Sequence, residues 1–430
     1  MRLGWVAALV LLLNTPVHAE PSPLPHTALA PSTTVPAADP RYGVSVTGIK
    51  RTRTRTVVEL LPREPPSEYT DAELRETERR ISNLGVFDHV AVSRAAGGTV
   101  ASADVAIDVR EKWTLIPDFA LATGKTLADL YISLGATEFN FLGTASALGA
   151  SVYREQRGFG FAATFAEHES RRHRWAFGGE ASYGSASLRF PDGNAWFSTI
   201  GALNLWSTSV PLAGPHLRAR TNLLYQHEKM DEVEGAVRPP SGSTIGAGGQ
   251  LIWDGYRFHD LVPHGIKALA GAGVGAFVPA NQTRAYAELH LIAAQPLWPY
   301  AVLLGRLDGS WTSRGNANHS SLVGSIEGVR GLEDALYRNW LQSFANLELR
   351  QSVKVFDRLA LQAVVFTDAA VFARLSPAGE RDGTGHAFSG GLGARVIPTF
   401  LASLLFRVDV ARLVLPHQDW FVQLGVSQYF

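Results

Sequence analysis

Ser325-Ile-Glu-Gly-Val-Arg-Gly-Leu-Glu-Asp334 is a charged, glycine-punctuated loop between two strand-like stretches of a strand-rich chain. Gly328 and Gly331 bracket Val329-Arg330, so the backbone can turn sharply on both sides and push the Arg330 guanidinium away from the loop's own surface. A side chain presented in this way needs acceptors. Asn346-Leu-Glu348-Leu-Arg350 alternates polar and apolar residues, and Phe366-Thr-Asp368-Ala-Ala-Val-Phe372 is a Val/Phe-rich run with one carboxylate. Alternate side chains of a strand share a face. Asn346, Glu348 and Arg350 therefore stand together, Asp368 stands with Phe366 and Ala370, and Leu347, Leu349, Thr367 and Val371 look the other way.

The rest of the chain from Trp113 onward has the same texture. It divides into about sixteen short alternating stretches with turns between them, in strand-plus-turn units of about twenty residues, the size of a transmembrane barrel. Turn chemistry separates them: Gly124-Lys125, Pro191-Asp-Gly193, Pro211-Leu-Ala-Gly214, Pro279-Ala-Asn281, Pro377-Ala-Gly379 and Pro398-Thr399. In the last stretch Trp420, Val422, Leu424, Val426, Gln428 and Phe430 share one face, and Phe421, Gln423, Gly425, Ser427 and Tyr429 share the other. The first stretch, residues 113–121, is interrupted by Pro117, and proline in a sheet is confined to edges, ends or bulges.

Upstream the pattern changes. Residues 1–19 read as a secretory signal, with Arg2, an apolar core over residues 5–13, and Val17-His-Ala19 before the cleavage point. Residues 20–40, rich in Pro, Ala, Ser and Thr, read as an extended linker. Residues 41–112 read as a small α+β domain of order β-α-α-β-β. A strand covers 44–49, and Thr54 or Thr56 is a candidate cap for a helix running to Leu61. A second helix follows Thr70-Asp71, where Glu73 can close a capping box on Thr70, and strands follow at 86–92 and 104–109. The basic run from Arg51 to Arg55 reads as a solvated face of the first helix.

Composition excludes several functions. With 39 basic and 39 acidic residues there is no bias toward a phosphate backbone, so nucleic acid is not an expected partner. The absence of cysteine excludes disulfides, a cysteine nucleophile and thiolate metal sites. Forty-one glycines and only 18% charged residues suit strands that face lipid on one side and water on the other. His168-Glu-Ser-Arg-Arg-His173 mimics a zinc-protease helix, but its second histidine comes one residue late and it follows a strand-like run, so a hairpin loop is expected. Gly246-Ala-Gly-Gly249 and Gly271-Ala-Gly-Val-Gly275 lie inside strand patterns with no helix after them to hold a phosphate, and read as strand glycines at bends of the barrel wall. No catalytic motif, metal site or cofactor site is found, so the chain is not expected to be an enzyme.

Val329-Arg330-Gly331-Leu332 resembles the VRGF/Y loop of the BamA/TamA superfamily of outer-membrane assembly and translocation barrels, and Phe366-x-Asp368-x-Ala370-x-Phe372 resembles its FxDxGxVW strand motif. Leu332 replaces the usual aromatic residue and Ala370 the usual glycine. Gly48, the Leu84-Gly85-Val86-Phe87-x-x-Val90 run and Val109-Arg-Glu111 are similar to a POTRA domain of that family. Asn140-Phe-Leu-Gly143 resembles its turn after the second strand. Asp254-x-x-Arg257-x-x-Asp260-x-x-Pro263-His-Gly265 resembles its element between the eighth and ninth strands, where the charges hold a turn in place or are merely solvated. The terminal Phe430, with Gln423-x-Gly425 before it, resembles the signal by which such barrels are recognised for insertion.

The resemblance implies a mostly β protein, a transmembrane barrel of about sixteen antiparallel strands at 113–430 preceded by one POTRA domain. It implies the outer membrane of a Gram-negative bacterium, with the POTRA domain in the periplasm. It further implies that the Arg330 loop folds into the lumen onto Asp368 and Glu348, and that strands carrying Pro117 and Gly425 to Phe430 meet in a short seam that can open. The function implied is assembly or translocation, in which client polypeptides are received on the POTRA domain and inserted or exported through a laterally gated barrel. A two-partner-type secretion transporter and a passive channel are the alternatives. The bilayer, unfolded clients or a secreted partner, and accessory periplasmic proteins are the expected partners.

Overall fold

The computed structural model describes residues 38–39, 44–64, 67–82, 84–94, 105–122, 130–155, 158–167, 175–189, 195–212, 216–235, 240–259, 261–278, 282–313, 321–323, 328–332, 337–356, 359–376, 378–398 and 405–426. The expected signal segment 1–19, the stretch 168–173, Asp260 and Phe430 lie outside the described residues.

A small α/β unit comes first: β1 (Ala38–Asp39), β2 (Val44–Thr47), helices α1 (Thr54–Val58) and α2 (Asp71–Ser82), then β3 (Phe87–Arg94) and β4 (Val105–Glu111). The sheet order is β1-β2-β4-β3, with β2 and β4 parallel and the other pairs antiparallel. Val44 and Val46 alternate inward from β2, and with Ile107 and Val109 they meet Val57, Leu61, Leu74 and Ile81 of the helical layer in one core. Gly48, at φ +83°, crosses so close to β4 that a Cβ there would lie 1.6 Å from the Val109 carbonyl oxygen. The capping box on α2 forms: Glu73 accepts from the Thr70 backbone N–H at 2.8 Å, and the Glu73 N–H donates to Thr70 Oγ1 at 3.3 Å.

Two expectations for this region are corrected. Residues 38–39 of the expected linker form β1, because they can pair with Val44 and Ser45 across the open side of β2. Helix α1 stops at Val58, and its N-cap is Arg53 with no side-chain cap bond. The Thr56 hydroxyl is used elsewhere, donating to the Gly143 carbonyl, and Thr52, ahead of the helix, accepts from Asn140.

The remaining strands are β5 (Leu115–Ala122), β6 (Tyr131–Phe141), β7 (Ser146–Glu155), β8 (Gly158–Ala166), β9 (Trp175–Arg189), β10 (Ala195–Ser209), β11 (Leu217–Glu234), β12 (Gly242–Asp254), β13 (Arg257–His259), β14 (Val262–Phe277), β15 (Gln282–Trp298), β16 (Ala301–Thr312), β17 (Ser321–Val323), β18 (Tyr337–Phe356), β19 (Leu359–Leu375), β20 (Arg381–Pro398), β21 (Phe406–Leu415) and β22 (Asp419–Val426). They close into an antiparallel barrel. Since β12 pairs directly with β14 and β16 with β18, the short β13 and β17 are side pieces, and the wall has sixteen strands.

Period-two patterning fixes which face is which. Along β19, Gln362, Val364, Phe366, Asp368, Ala370 and Phe372 are buried, whereas Leu361, Val365 and Val371 are exposed. The same outward apolar face recurs as Leu134, Phe161, Leu223, Leu251, Leu289, Leu347, Val410 and Trp420 on other strands. An apolar surface of that extent around a closed barrel is matched by lipid and not by water. No helix among the described residues is long and apolar enough to span a bilayer.

The inner face is crowded where strands cross, and glycine makes the room. The glycines of β12 and β14 lie within strands as expected, and a Cβ at Gly248 or Gly273 would lie 2.5 or 2.4 Å from the Tyr286 hydroxyl, so bare backbone lets this ring lie against the wall. Gly265, at φ +93°, packs against the Gly255 carbonyl, while Arg257 reaches Asp254 at 3.5 Å beside it.

Candidate functional site in the barrel lumen

Residues 328–332 enter the barrel and dock on its inner wall. Val329 and Leu332 are buried among Phe344, Ala370, Phe372, Ala387 and Leu413, so the two apolar residues flanking Arg330 anchor the loop. Gly331 adopts φ +91°, which lets the chain reverse after Arg330, and the Leu332 N–H closes the turn on the Val329 carbonyl at 3.1 Å. Arg330 itself is 0% exposed.

The guanidinium is held on every side. Nε donates to Asp368 Oδ2 and Nη2 to Asp368 Oδ1, both at 2.7 Å, as a two-pronged fork. Nη1 donates to Glu348 Oε1 at 2.7 Å and lies 3.5 Å from Asp409 Oδ2. The Arg330 backbone N–H adds a bond to Asp368 Oδ2 at 3.1 Å, and the guanidinium carbon stands 3.4 Å from the centre of the Phe366 ring. Gly391 seats that ring, since a Cβ there would lie 2.6 Å from it and 2.1 Å from the Val410 carbonyl oxygen.

Three further residues complete the charge pattern. Arg350 donates to Glu348 at 2.7 Å, and Arg395 donates to Asp409 at 2.5 Å while standing 3.7 Å from Glu348. Asn346 donates both to Asp368 at 2.9 Å and to the Gly328 carbonyl at 2.7 Å, tying the loop's start to the same carboxylate. Three guanidiniums therefore face three carboxylates, which is how so many charges can be taken out of water together. A second network lies on neighbouring strands: Asp308 accepts from Arg306 at 2.5 Å and meets His290 at 2.6 Å, and Gln250 donates to Glu288 at 2.7 Å.

Sequence reasoning gave Arg330, Glu348 and Asp368 and missed Arg395 and Asp409. A signal was available: both are charged residues at inward positions of strands whose alternate residues, Val396, Val408 and Val410, are apolar and exposed. Gly393 makes room for Asp409, whose Oδ1 would lie 2.1 Å from a Cβ at that position.

The barrel closes where β22 meets β5. The described pairs there are Gly425 with Ala122 and Val426 with Leu121. Pro117 lies on β5 opposite Ala136 of β6 and has no N–H to give to either neighbour. Gly425 seats the Arg407 side chain, whose Nε would lie 2.4 Å from a Cβ there.

The α/β unit is fastened to the turn between β6 and β7. Arg51 Nη2 donates to Glu138 at 3.0 Å and Nη1 to Thr114 Oγ1 at 3.2 Å, so the basic run is more than a solvated helix face. Thr114 donates to Glu138, Asn140 donates to Thr52 Oγ1 at 2.9 Å, and the Arg53 N–H donates to the Gly143 carbonyl at 2.8 Å. Gly143, at φ +74°, fits under the Arg51 carbonyl, 2.3 Å from where a Cβ would be. On the other side Glu111 receives the backbone N–H groups of Arg51 and Thr52. Partial burial pushes the Glu111 carboxyl up, but the bonds from Thr52 and from the Lys50 and Arg51 backbone outweigh it and hold the carboxyl below its ordinary value.

No family model matches this chain, and no curated protein matches it. Solved structures do. A BamA from Haemophilus ducreyi lacking POTRA domains 1–3 superposes with TM-score 0.60 at 14% identity, over 89% of this chain and 83% of that one. CdiB from Escherichia coli superposes with TM-score 0.65 at 12% identity, over 90% of this chain and 76% of that one, and CdiB from Acinetobacter baumannii with TM-score 0.64 at 11% identity, over 89% and 72%. The fold is that of BamA and CdiB. At these identities the likeness concerns architecture alone, here a closed antiparallel barrel with sixteen wall strands. Among the described residues no group of three histidine, cysteine or carboxylate side chains could hold a metal ion.

Proposed function

We propose that this protein is an outer-membrane assembly or transport barrel of the BamA/TamA superfamily. In this reading residues 41–112 are a single periplasmic POTRA domain, residues 113–430 are the barrel in the outer membrane of a Gram-negative bacterium, and the partners are the bilayer and client polypeptides. The observation that carries it is the Arg330 loop locked by Asp368 and Glu348 inside a barrel with the fold of BamA and CdiB. An inserted loop and six paired charges stand on the inner wall of this barrel, which supports an assembly or transport role over a passive channel.

A client would arrive as an extended strand on the sheet of the α/β unit. The edges are less open than three short strands alone would suggest. The outer side of β2 carries β1, and the Val92 N–H on the outer side of β3 donates to Glu78 Oε2 at 3.1 Å. An added strand on β3 must displace Glu78. Because Arg51, Thr52 and Gly143 fasten the unit to β6 and β7 beside the Leu115 end of β5, a strand docked there is delivered next to β5.

Depletion in cells tests the proposal and separates its two forms. An assembly factor leaves several outer-membrane barrels unfolded in the periplasm when it is depleted, a dedicated transporter loses one secreted protein, and an unchanged envelope proteome contradicts both. Deleting residues 44–111 should leave a folded, heat-modifiable barrel without this activity.

A further inference from the structure

In the Arg330 cluster every charged side chain has an opposite charge in contact; Glu180, elsewhere in the lumen, has neither a charged nor a neutral partner among the described residues. Glu180 on β9 is 3% exposed, and neither of its oxygens has a hydrogen-bond partner among the described residues. Alternation turns it inward: Ser182 on the same face is buried, while Phe177 and Tyr183 on the other are exposed. An ionised carboxylate removed from water without a partner is so costly that such a group takes up a proton or a cation.

The residues in register with it are polar. Glu180 lies opposite Thr164 of β8 and Asn204 of β10, Thr164 lies opposite Gly149 of β7, and Gly149 lies opposite Thr137 of β6. A Cβ at Gly149 would stand 2.8 Å from both Thr137 Oγ1 and Thr164 Oγ1, so two hydroxyls converge over bare backbone. Asn204 Oδ1 is also buried without a partner. The Trp206 indole lies against Gly178, two positions along the same face from Glu180. The guanidinium of Arg220 is engaged elsewhere, with Nε on Thr208 Oγ1 at 3.0 Å and its plane over Trp206 at 5.9 Å.

We propose that this row is a binding site for a primary ammonium group, such as the side chain of a lysine on a polypeptide inside the lumen. An ammonium has three N–H donors pointing apart, which suits acceptors spread over three strands: the Glu180 carboxylate, the Thr164 hydroxyl and the Asn204 oxygen. A planar guanidinium suits two coplanar acceptors instead. Trp206 supplies an aromatic face for the cation. The site requires only that the lumen be reachable, so it stands or falls separately from the assembly reading.

The test titrates the purified full chain in detergent, at physiological salt, with fluorescently labelled tetralysine followed by anisotropy. Glu180→Gln should weaken binding about tenfold or more, as loss of a charged acceptor does. Gly149→Ala, which puts a methyl group against both hydroxyls without changing any charge, should weaken it as well. Glu228→Gln removes another buried luminal carboxylate, bonded to Ser198 at 2.9 Å, and should leave affinity unchanged. Competition by spermidine that depends on Glu180 supports the ammonium class and adds free polyamines as a source; tighter binding of tetraarginine overturns that class. Equal affinity of the wild type and Glu180→Gln overturns the site. Should Glu180→Gln lose the heat-modifiable migration of a folded barrel, Gly149→Ala carries the same test. An infrared carboxylic-acid band that is absent in Glu180→Gln and unmoved by tetralysine identifies a neutral acid that binds nothing, and this too overturns the proposal.

Discussion

Replacing Arg330 by alanine removes one cation from a site with no access to water, and the cost depends on what each carboxylate has left. Glu348 keeps Arg350 at 2.7 Å and Arg395 at 3.7 Å, and Asp409 keeps Arg395 at 2.5 Å. Among the described residues Asp368 keeps only neutral partners: Asn346 at 2.9 Å, Ser389 at 3.4 Å and the backbone N–H of residue 330 at 3.1 Å. The uncompensated charge therefore falls on Asp368, and Arg330→Ala should cost about 3 to 5 kcal/mol, the range for breaking a buried ion pair on one side. Adding Asp368→Asn to Arg330→Ala should return about 1 to 3 kcal/mol, because it removes the stranded charge, whereas adding Glu348→Gln should return little. Arg330→Lys should rescue partly, since an ammonium cannot reproduce the fork on Asp368 together with the bond to Glu348. Exchanging the charges, Arg330→Asp with Asp368→Arg, should recover more than either change alone. Denaturant unfolding in vesicles and protease protection of residues 328–332 measure these effects. If Arg330→Ala unfolds at the wild-type denaturant concentration with its loop still protected, the charge argument is refuted; if Asp368→Asn worsens it, the assignment of the cost to Asp368 is.

Other predictions rest on separate contacts. Gly391→Ala should displace Phe366 from beneath the guanidinium and destabilise the barrel by about 1 to 3 kcal/mol, the cost of overpacking, seen as an earlier loss of near-UV circular dichroism. Glu78→Ala should free the Val92 N–H and speed its hydrogen exchange, and peptides that add to β3 should bind this variant more tightly; unchanged affinity would exclude Glu78 as an edge guard. The Glu111 carboxyl titrates below its ordinary value when folded, so its hold on the 51–52 backbone is complete above the usual carboxylate range near ~4.3 and is lost as pH falls through the folded value. Proteolysis between the α/β unit and the barrel should rise on acidification in the wild type and be high at all pH values in Glu111→Gln; identical pH profiles would contradict this.

Much of the barrel was legible because a strand of this kind writes its two environments into alternate residues, as in Leu361 to Phe372, and many of the turns are marked by proline or glycine. The Arg330 pairing was legible through the resemblance of short motifs, since no spacing rule alone brings residue 330 to residues 348 and 368. Alternation with Val396, Val408 and Val410 turns Arg395 and Asp409 inward, but it does not say which charges meet; that follows only from the register of β20 and β21, which aligns Asp409 with Gly393. The fastening at Arg51 escaped because it joins residues 87 to 88 positions apart, Arg51 to Glu138 and Thr52 to Asn140, through side chains with no periodicity to betray them. Strand ends were the least certain: β5 begins at Leu115, where Trp113 had been expected, since the indole of Trp113 folds back to donate to the Leu115 carbonyl.

Insertion or export through the wall, as proposed for this barrel, requires β5 and β22 to part when a polypeptide is handled. The chain has no cysteine, so Leu121→Cys with Val426→Cys places a single disulfide across a directly paired position of the junction. Client assembly or secretion is then measured in cells with the bond closed and again after reduction. The account predicts that activity is lost while the bond is closed and returns when it is reduced; full activity in protein whose bond is shown to be closed would contradict it.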